Sequence, residues 1–110
     1  MAITHIVLVQ FKADISPEVA KAVLEDARSL KDNCVHPTSK QPYILSVKIG
    51  KDNSPEGLQN GLTHGFVVEF ASAEDRNYYV NTDPAHQNVA RRLKEVAEKV
   101  IVLDFSDGAF

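Results

Sequence analysis

The side chains that can act as acids, bases or nucleophiles are few and are spread along the 110 residues of this chain. Four histidines stand singly at positions 5, 36, 64 and 86, without the HxH or HExxH spacing of a metal site. The sequence also lacks a glycine-rich phosphate loop, a GxSxG elbow and a cysteine–histidine nucleophile pattern. Any chemistry is therefore expected to be acid–base rather than covalent, with neither a metal nor another cofactor.

His86 is the most informative of these residues. It precedes Val89 and Leu93 by three and seven positions, on the apolar stripe of a predicted helix, so its side chain should point toward the sheet. The helix dipole near the Asp83 cap and burial both disfavour an imidazolium. We therefore expect a neutral imidazole at pH 7 that accepts a proton from a carbon or oxygen acid. The alternative is that His86 bonds a backbone carbonyl and only helps to cap the helix.

Three further side chains are expected to converge on His86. His5 lies near the start of the first predicted strand, Asp104 near the end of the last, and Tyr79 just before the helix. A half-buried carboxylate needs partners, and a histidine N–H is a good one. Tyr79 could donate its phenol to a developing oxyanion, although the neighbouring Tyr78 could do so instead. The alternatives are a hydrogen-bonded core histidine, an edge carboxylate in water and tyrosines that only pack.

The two remaining histidines are expected away from this group. His64 falls near the start of the third predicted strand, toward the opposite end of the sheet from His5, and is a secondary candidate for ligand binding. His36 lies in a proline-rich loop without an acidic or cysteine neighbour at ligand spacing, so we assign it no role.

Four segments have the pattern of β-strands, with β-branched and large apolar residues that often alternate with polar ones. The predicted strands are Ala2 to Phe11, Tyr43 to Ile49, Leu62 to Phe70 and about Val100 to Phe105. Turn-forming residues fill Gly50 to Gly61, which predicts a long-looped hairpin between the second and third strands.

Three segments begin with a capping residue and continue with a helical pattern. The predicted helices are Pro17 to Asn33 after Ser16, a short helix from Ser72 through about Val80, and a longer one that starts at Pro84 after Asp83. The apolar stripe of the last helix is Val89, Leu93, Val96, Ala97 and Val100.

The element order β-α-β-β-α-β predicts an α+β fold, a ferredoxin-like protomer with a four-stranded antiparallel sheet. In this topology the start of the first strand, the end of the last and the beginning of the long helix meet at one end of the sheet. The helices cover one sheet face, while apolar residues such as Ile6 and Leu8 require cover on the other. A second copy is the simplest cover, and two sheets packed face to face would form a dimeric α/β barrel.

Composition narrows the class of protein. The chain is 44% hydrophobic and 25% charged, typical of one globular domain, which we assign to residues 1–110. A net charge of −3 argues against a nucleic-acid partner, and no apolar run approaches the ~20 residues that cross a membrane. Without a signal-peptide pattern, and with Cys34 as the only cysteine, the expected location is the cytoplasm.

Several segments resemble a known family. THIVLVQFK, GLTHGFVVEFAS, NYYVNTDPAHQ and VIVLDF follow one another as in the stress-responsive dimeric alpha/beta barrel family, known as Dabb. The resemblance covers nearly the whole chain and implies a ferredoxin-like homodimer with a central barrel. One plant branch closes linear poly-β-ketones by intramolecular aldol condensation. Similarity to that branch places His86 and Tyr79 on its catalytic histidine and tyrosine, and His5, His64 and Asp104 on two further histidines and the acidic residue of its last strand.

Two classes of function remain open. In a cofactor-independent cyclase or lyase, His86 would remove a proton between two carbonyls of a small apolar or polyketide-like ligand, and Tyr79 would bond the oxyanion. His5 and Asp104 would orient that pair. In a non-catalytic stress-response or ligand-binding dimer, the same residues would close a small cavity. A weaker alternative, from fold analogy alone, is a haem-degrading or quinone-forming monooxygenase. A cavity with His86 on its wall would favour a ligand, and a filled core a structural role.

Overall fold

Four strands and three helices make up the protein in the computed structural model, which describes residues 1–110. The elements are β1 (Ile3–Phe11), α1 (Pro17–Asn33), β2 (Ile44–Lys51), β3 (His64–Phe70), α2 (Ala73–Asn81), α3 (Pro84–Val96) and β4 (Ala97–Phe105). The strands form one antiparallel sheet in the order β2-β3-β1-β4. The predicted ferredoxin-like arrangement is confirmed, with its second helical region divided into α2 and α3.

β1 lies inside the sheet, and its side chains alternate between two environments. One face is buried beneath the helices and carries Ile3, His5, Val7 and Val9. The opposite face carries Ile6 and Leu8, which pair with Leu103 and Ile101 of β4. Leu103 is 59% exposed, so this second face presents apolar side chains to solvent.

The helices begin at the predicted caps. The side chains of Ser16 and Ser72 each accept a hydrogen bond from the backbone N–H three residues later. Asp83 Oδ1 accepts one from the N–H of Ala85 at 2.9 Å. These side-chain oxygens satisfy backbone N–H groups that have no partner within the helix, which fixes where each helix starts.

The boundary between the last helix and the last strand differs from the prediction. The apolar stripe was expected to carry the helix through Ala97 and Val100, but α3 ends at Val96 and β4 begins at Ala97. Pairing with β1 explains the difference, because Phe11 pairs with Ala97 and the N–H of Lys12 donates to the Val96 carbonyl at 2.9 Å. The buried side of a helix and that of a strand both carry apolar residues, so the apolar pattern did not show where α3 ends and β4 begins.

The core fills most of the space between the sheet and the helices. Its largest fully buried side chains include Phe70 of β3, Leu30 of α1 and Tyr79 of α2. None of the three helices is both long and apolar enough to cross a membrane. The packing is incomplete near α2 and α3, where the candidate site lies.

Candidate functional site

A cavity of about 600 Å³ lies between the sheet and the helices. Its wall brings together the four residues predicted to be catalytic, His5, Tyr79, His86 and Asp104. Much of the remaining wall is apolar and comes from both layers, with Val7, Phe66, Val100 and Val102 from the sheet and Leu30, Val80, Val89 and Leu93 from the helices. The space beside His86 is therefore open to a ligand rather than filled by core side chains.

His86 lies in the first turn of α3, and its ring packs on that of Tyr79 with the centroids 3.9 Å apart. Its Nδ1 is buried and has no partner in strict hydrogen-bonding geometry, although the ring lies near the Tyr79 carbonyl. Burial lowers the pKa of His86, and the Tyr79 carbonyl opposes this effect more weakly. The imidazole is accordingly neutral at pH 7, and Nε2 is its nitrogen available to a ligand.

His5 and Asp104 form a pair on the adjoining part of the wall. The register of β1 and β4 sets the two residues directly opposite each other, on the face beneath the helices. His5 Nδ1 lies 2.6 Å from Asp104 Oδ1, and the His5 ring meets the Tyr79 ring edge to face at 5.7 Å. Asp104 therefore has the histidine partner that a half-buried carboxylate requires, rather than standing alone in water.

Arg76 binds Asp104 of this pair, and the sequence analysis did not predict it as a site residue. Its Nη1 donates to Asp104 Oδ2 at 2.8 Å, and its side chain also lines the cavity. A signal was present, because Arg76 precedes Tyr79 by three residues on a helix and so shares its face. The carboxylate of Asp104 thus lies between a guanidinium and an imidazole.

The choice between the two tyrosines of α2 is settled in favour of Tyr79 as the cavity residue. Tyr79 is buried and lines the cavity, whereas Tyr78 packs edge to face against Tyr43 at 5.7 Å, away from it. Burial raises the pKa of Tyr79, with smaller effects of the same sign from Cys34 and Asp83. Tyr79 is therefore a neutral phenol that can donate a hydrogen bond but does not ionise.

A buried polar cluster near the start of α3 supports the first turn that carries His86. Asp83 is only 2% exposed, and its Oδ2 accepts a hydrogen bond from the Tyr43 hydroxyl at 2.6 Å. Burial, together with Asp83, raises the pKa of Tyr43. Burial also raises the pKa of Cys34 to about 12, and the charge of Asp83 adds to the effect. The sequence predicted Asp83 as a cap but not its hydrogen bond to Tyr43, which lies just before β2.

His64 lies apart from the other site residues, as its strand position predicted. It pairs with Val9, four residues along β1 from His5 and so roughly 13 Å away. It lines a second, more open cavity of about 560 Å³, and burial followed by the charge of Lys51 lowers its pKa. No three histidine, cysteine, aspartate or glutamate side chains lie close enough together to hold a metal ion.

A ferredoxin-like protomer with an apolar cavity between its sheet and helices is the class of protein that the fold and the site define. Residues 3–107 match the model of the Stress responsive A/B Barrel Domain, or Dabb. The chain therefore belongs to the Dabb family, as its sequence segments indicated.

Two relatives align over nearly the whole chain. The stress-response A/B barrel domain-containing protein HS1 of Arabidopsis thaliana is 31% identical over 103 residues, which cover 94% of this chain and 87% of HS1. Olivetolic acid cyclase of Cannabis sativa is 27% identical over 106 residues, which cover 96% of this chain and 97% of the cyclase. The resemblance to a cyclase branch inferred from short segments thus extends along the chain.

Solved structures share the fold. The crystal structure of At3g17210 from Arabidopsis thaliana has a TM-score of 0.83 and 30% identity, covering 98% of this chain and 97% of the other. Hydroxynitrile lyase from Passiflora edulis has a TM-score of 0.81 and 23% identity, covering 99% and 96%. A dimeric ferredoxin-like protein from Jannaschia has a TM-score of 0.78 and 14% identity, covering 96% and 99%. Dimeric proteins therefore occur among the structural neighbours.

Proposed function

We propose that this protein is a cofactor-independent cyclase or lyase that acts on an enolisable, polyketide-like ligand by intramolecular aldol-type condensation. The observation that carries the proposal is the placement of a neutral His86, the Tyr79 phenol and the His5–Asp104 pair on one cavity wall. The alignment with olivetolic acid cyclase, which spans 96% of this chain, supports the same class of reaction.

The chemistry requires one base and one hydrogen-bond donor. His86 Nε2 takes a proton from the carbon between two carbonyls, and the resulting enolate attacks a third carbonyl carbon of the same molecule. A carbon–carbon bond forms, and the attacked oxygen becomes an alkoxide. Tyr79 donates a hydrogen bond to the negative oxygen, and the proton held by His86 returns to it. Atoms and charge balance without a cofactor.

The cavity suits such a ligand in size and surface. Its volume of about 600 Å³ lies within the range of roughly 300–1,000 Å³ typical of small-molecule sites. The wall is mainly apolar, and His5, Tyr79 and His86 are among its polar side chains. A ligand with an apolar tail and a row of carbonyls would place the tail on the aliphatic wall and the carbonyls beside the imidazoles.

We also propose that the functional unit is a homodimer formed through the exposed sheet face. Leu103 is 59% exposed, Phe105 43% and Ile101 39%, and all three lie on the face away from the helices. Apolar surface of this kind is stabilised when a second sheet covers it. The cavity, on the other side of the sheet, remains free in this arrangement.

The test is ring closure of a linear poly-β-keto thioester by the purified protein, followed by mass spectrometry. We expect a cyclised product from the wild type and a rate about 10²–10⁴-fold lower for His86→Ala, the range for loss of a general base. Alanine in the first turn costs a helix little, so the variant should fold. His36→Ala is the matched control, because that histidine lies in a loop and does not line the cavity.

Full activity in His86→Ala would remove the catalytic assignment. Tight binding of the thioester without turnover by the wild type would instead favour the ligand-binding dimer. Calorimetric titration of the same thioester distinguishes that outcome from a protein that does not bind it.

A further inference from the structure

The feature that the proposed reaction leaves unexplained is the guanidinium of Arg76 at the edge of the site. Arg76 extends from α2 and its Nη1 reaches Asp104 Oδ2 at 2.8 Å, while the other carboxylate oxygen contacts His5 Nδ1 at 2.6 Å. The Arg76 and Asp104 side chains are 25% and 20% exposed, so both are partly buried. The three side chains come from three different elements, α2, β4 and β1.

The arrangement restricts how Asp104 can be used. A carboxylate that binds a guanidinium is ionised and can only accept hydrogen bonds. Its other oxygen lies 2.6 Å from His5 Nδ1 and therefore accepts a hydrogen bond from that nitrogen, which must carry the hydrogen. Arg76 also donates through Nε to Asn77 Oδ1 at 2.8 Å, which holds the guanidinium in place on α2. The orientation of the carboxylate is thus set from the side opposite His5.

A hydrogen on Nδ1 determines the state of the other ring nitrogen of His5, Nε2. In a neutral imidazole only one nitrogen carries a hydrogen, so a protonated Nδ1 leaves a lone pair on Nε2. His5 lines the cavity, and His86 Nδ1 is the only buried side-chain nitrogen or oxygen without a hydrogen-bond partner. His5 Nε2 is therefore not enclosed by protein, and its lone pair faces open space.

We propose that Arg76 is a positioning residue that orients Asp104, holds His5 as the Nδ1–H tautomer and thereby presents the Nε2 lone pair to the cavity as a hydrogen-bond acceptor. The site then takes ligands that donate an enol or hydroxyl hydrogen at His5, while their carbon acid lies at His86. A β-dicarbonyl compound in its enol form, or a β-hydroxy carbonyl compound, has both groups. The ligand class rests on the proposed function, whereas the tautomer of His5 does not.

The experiment measures the protonation of each imidazole nitrogen of His5 by long-range proton–nitrogen NMR, without any ligand. In the wild type at about pH 7.5 we expect Nδ1 protonated and Nε2 not. Arg76→Met removes the charge but keeps the aliphatic stem, and it should abolish this single-tautomer signature and give a mixture of forms. Arg76→Lys, which keeps the charge, should retain most of it. Arg91→Met is the control, because Arg91 is exposed on α3 and its side-chain hydrogen bond goes to Asn88, away from His5 and Asp104.

A wild-type His5 in the Nε2–H form, or an unchanged Nδ1–H form in Arg76→Met, would overturn the proposal. If Arg76→Met does not fold, Arg76→Gln replaces it and is judged by the same criterion. Its amide spectrum shows whether it is folded. A preserved tautomer without any turnover of poly-β-keto thioesters would count against the proposed function alone. Turnover together with a tautomer that is independent of Arg76 would count against this proposal alone.

Discussion

The burial of His86 connects a single residue to the pH dependence of stability. The folded protein lowers the pKa of His86, whereas the unfolded chain takes up a proton near the free value of ~6.5. Below that pH the unfolded state therefore binds more protons than the folded one. Stability is full above about pH 7 and declines as the pH falls, and His64, whose pKa is also lowered, contributes in the same direction.

Replacing His86 should reduce this dependence. We predict that the free energy of unfolding of the wild type, measured with urea, is lower at about pH 5.5 than at about pH 7.5. His86→Asn should show a smaller difference between the two values, because one of the two histidines with a lowered pKa is gone. The contribution of His64 should persist, and His64→Asn provides the reciprocal comparison. Equal pH dependence in the wild type and in His86→Asn would contradict the burial of a neutral imidazole.

Cys34 should be chemically inert in the folded protein. Its thiol is fully buried, and burial with the charge of Asp83 raises its pKa to about 12. At about pH 8 the folded protein should react with iodoacetamide at least about a hundredfold more slowly than the urea-unfolded chain, because the thiolate is the reactive form. Similar rates in the folded and unfolded states would show that the thiol is accessible.

The residues of the site were predictable to different degrees. His5, His86 and Asp104 stood out because each is a polar residue within an apolar pattern, and strand order alone brings them to one end of the sheet. Arg76 and Tyr43 were not predicted, since their partners are distant in sequence and depend on side-chain directions. An arginine on a helix surface is more often solvated, so its type gave little indication of an internal ion pair.

At the scale of elements, a hydrogen bond from the Tyr43 hydroxyl to Asp83 joins the start of α3 to the residue just before β2. We predict that Tyr43→Phe lowers the free energy of unfolding by about 1–3 kcal/mol, because it removes a donor from a buried carboxylate. Tyr78→Phe is the matched control, because Tyr78 packs beside Tyr43 without a side-chain hydrogen bond to Asp83. Equal urea denaturation curves for the two variants would show that the bond contributes nothing.

The elements were predicted where local rules determine them. The three caps follow from Ser16, Ser72 and Asp83 acting on N–H groups within their own first turns. The predicted end of α3 was wrong because the helix stops where Phe11 and Lys12 pair with the chain around Ala97. These two residues are distant from α3 in the sequence. Local propensity is overridden when a neighbouring strand offers backbone partners.

At the scale of the whole molecule, the exposed sheet face predicts dimerisation. We expect sedimentation equilibrium to give a dimer at micromolar concentration, and Leu103→Lys to give a folded monomer by placing a charge in the apolar interface. Val19→Lys is the control, because Val19 is 43% exposed but lies on α1, away from this face. A monomeric wild type would contradict the proposed interface.

The proposed reaction depends on His86 as a base that removes a proton from carbon. The most direct measurement is exchange of the central methylene protons of an alkyl β-keto ester for deuterium, followed by NMR with the buffer rate subtracted. We predict exchange accelerated by the wild type and by His36→Ala, and a loss of about 10²–10⁴-fold of that acceleration in His86→Ala. An equal acceleration by His86→Ala and the wild type would contradict the proposed reaction.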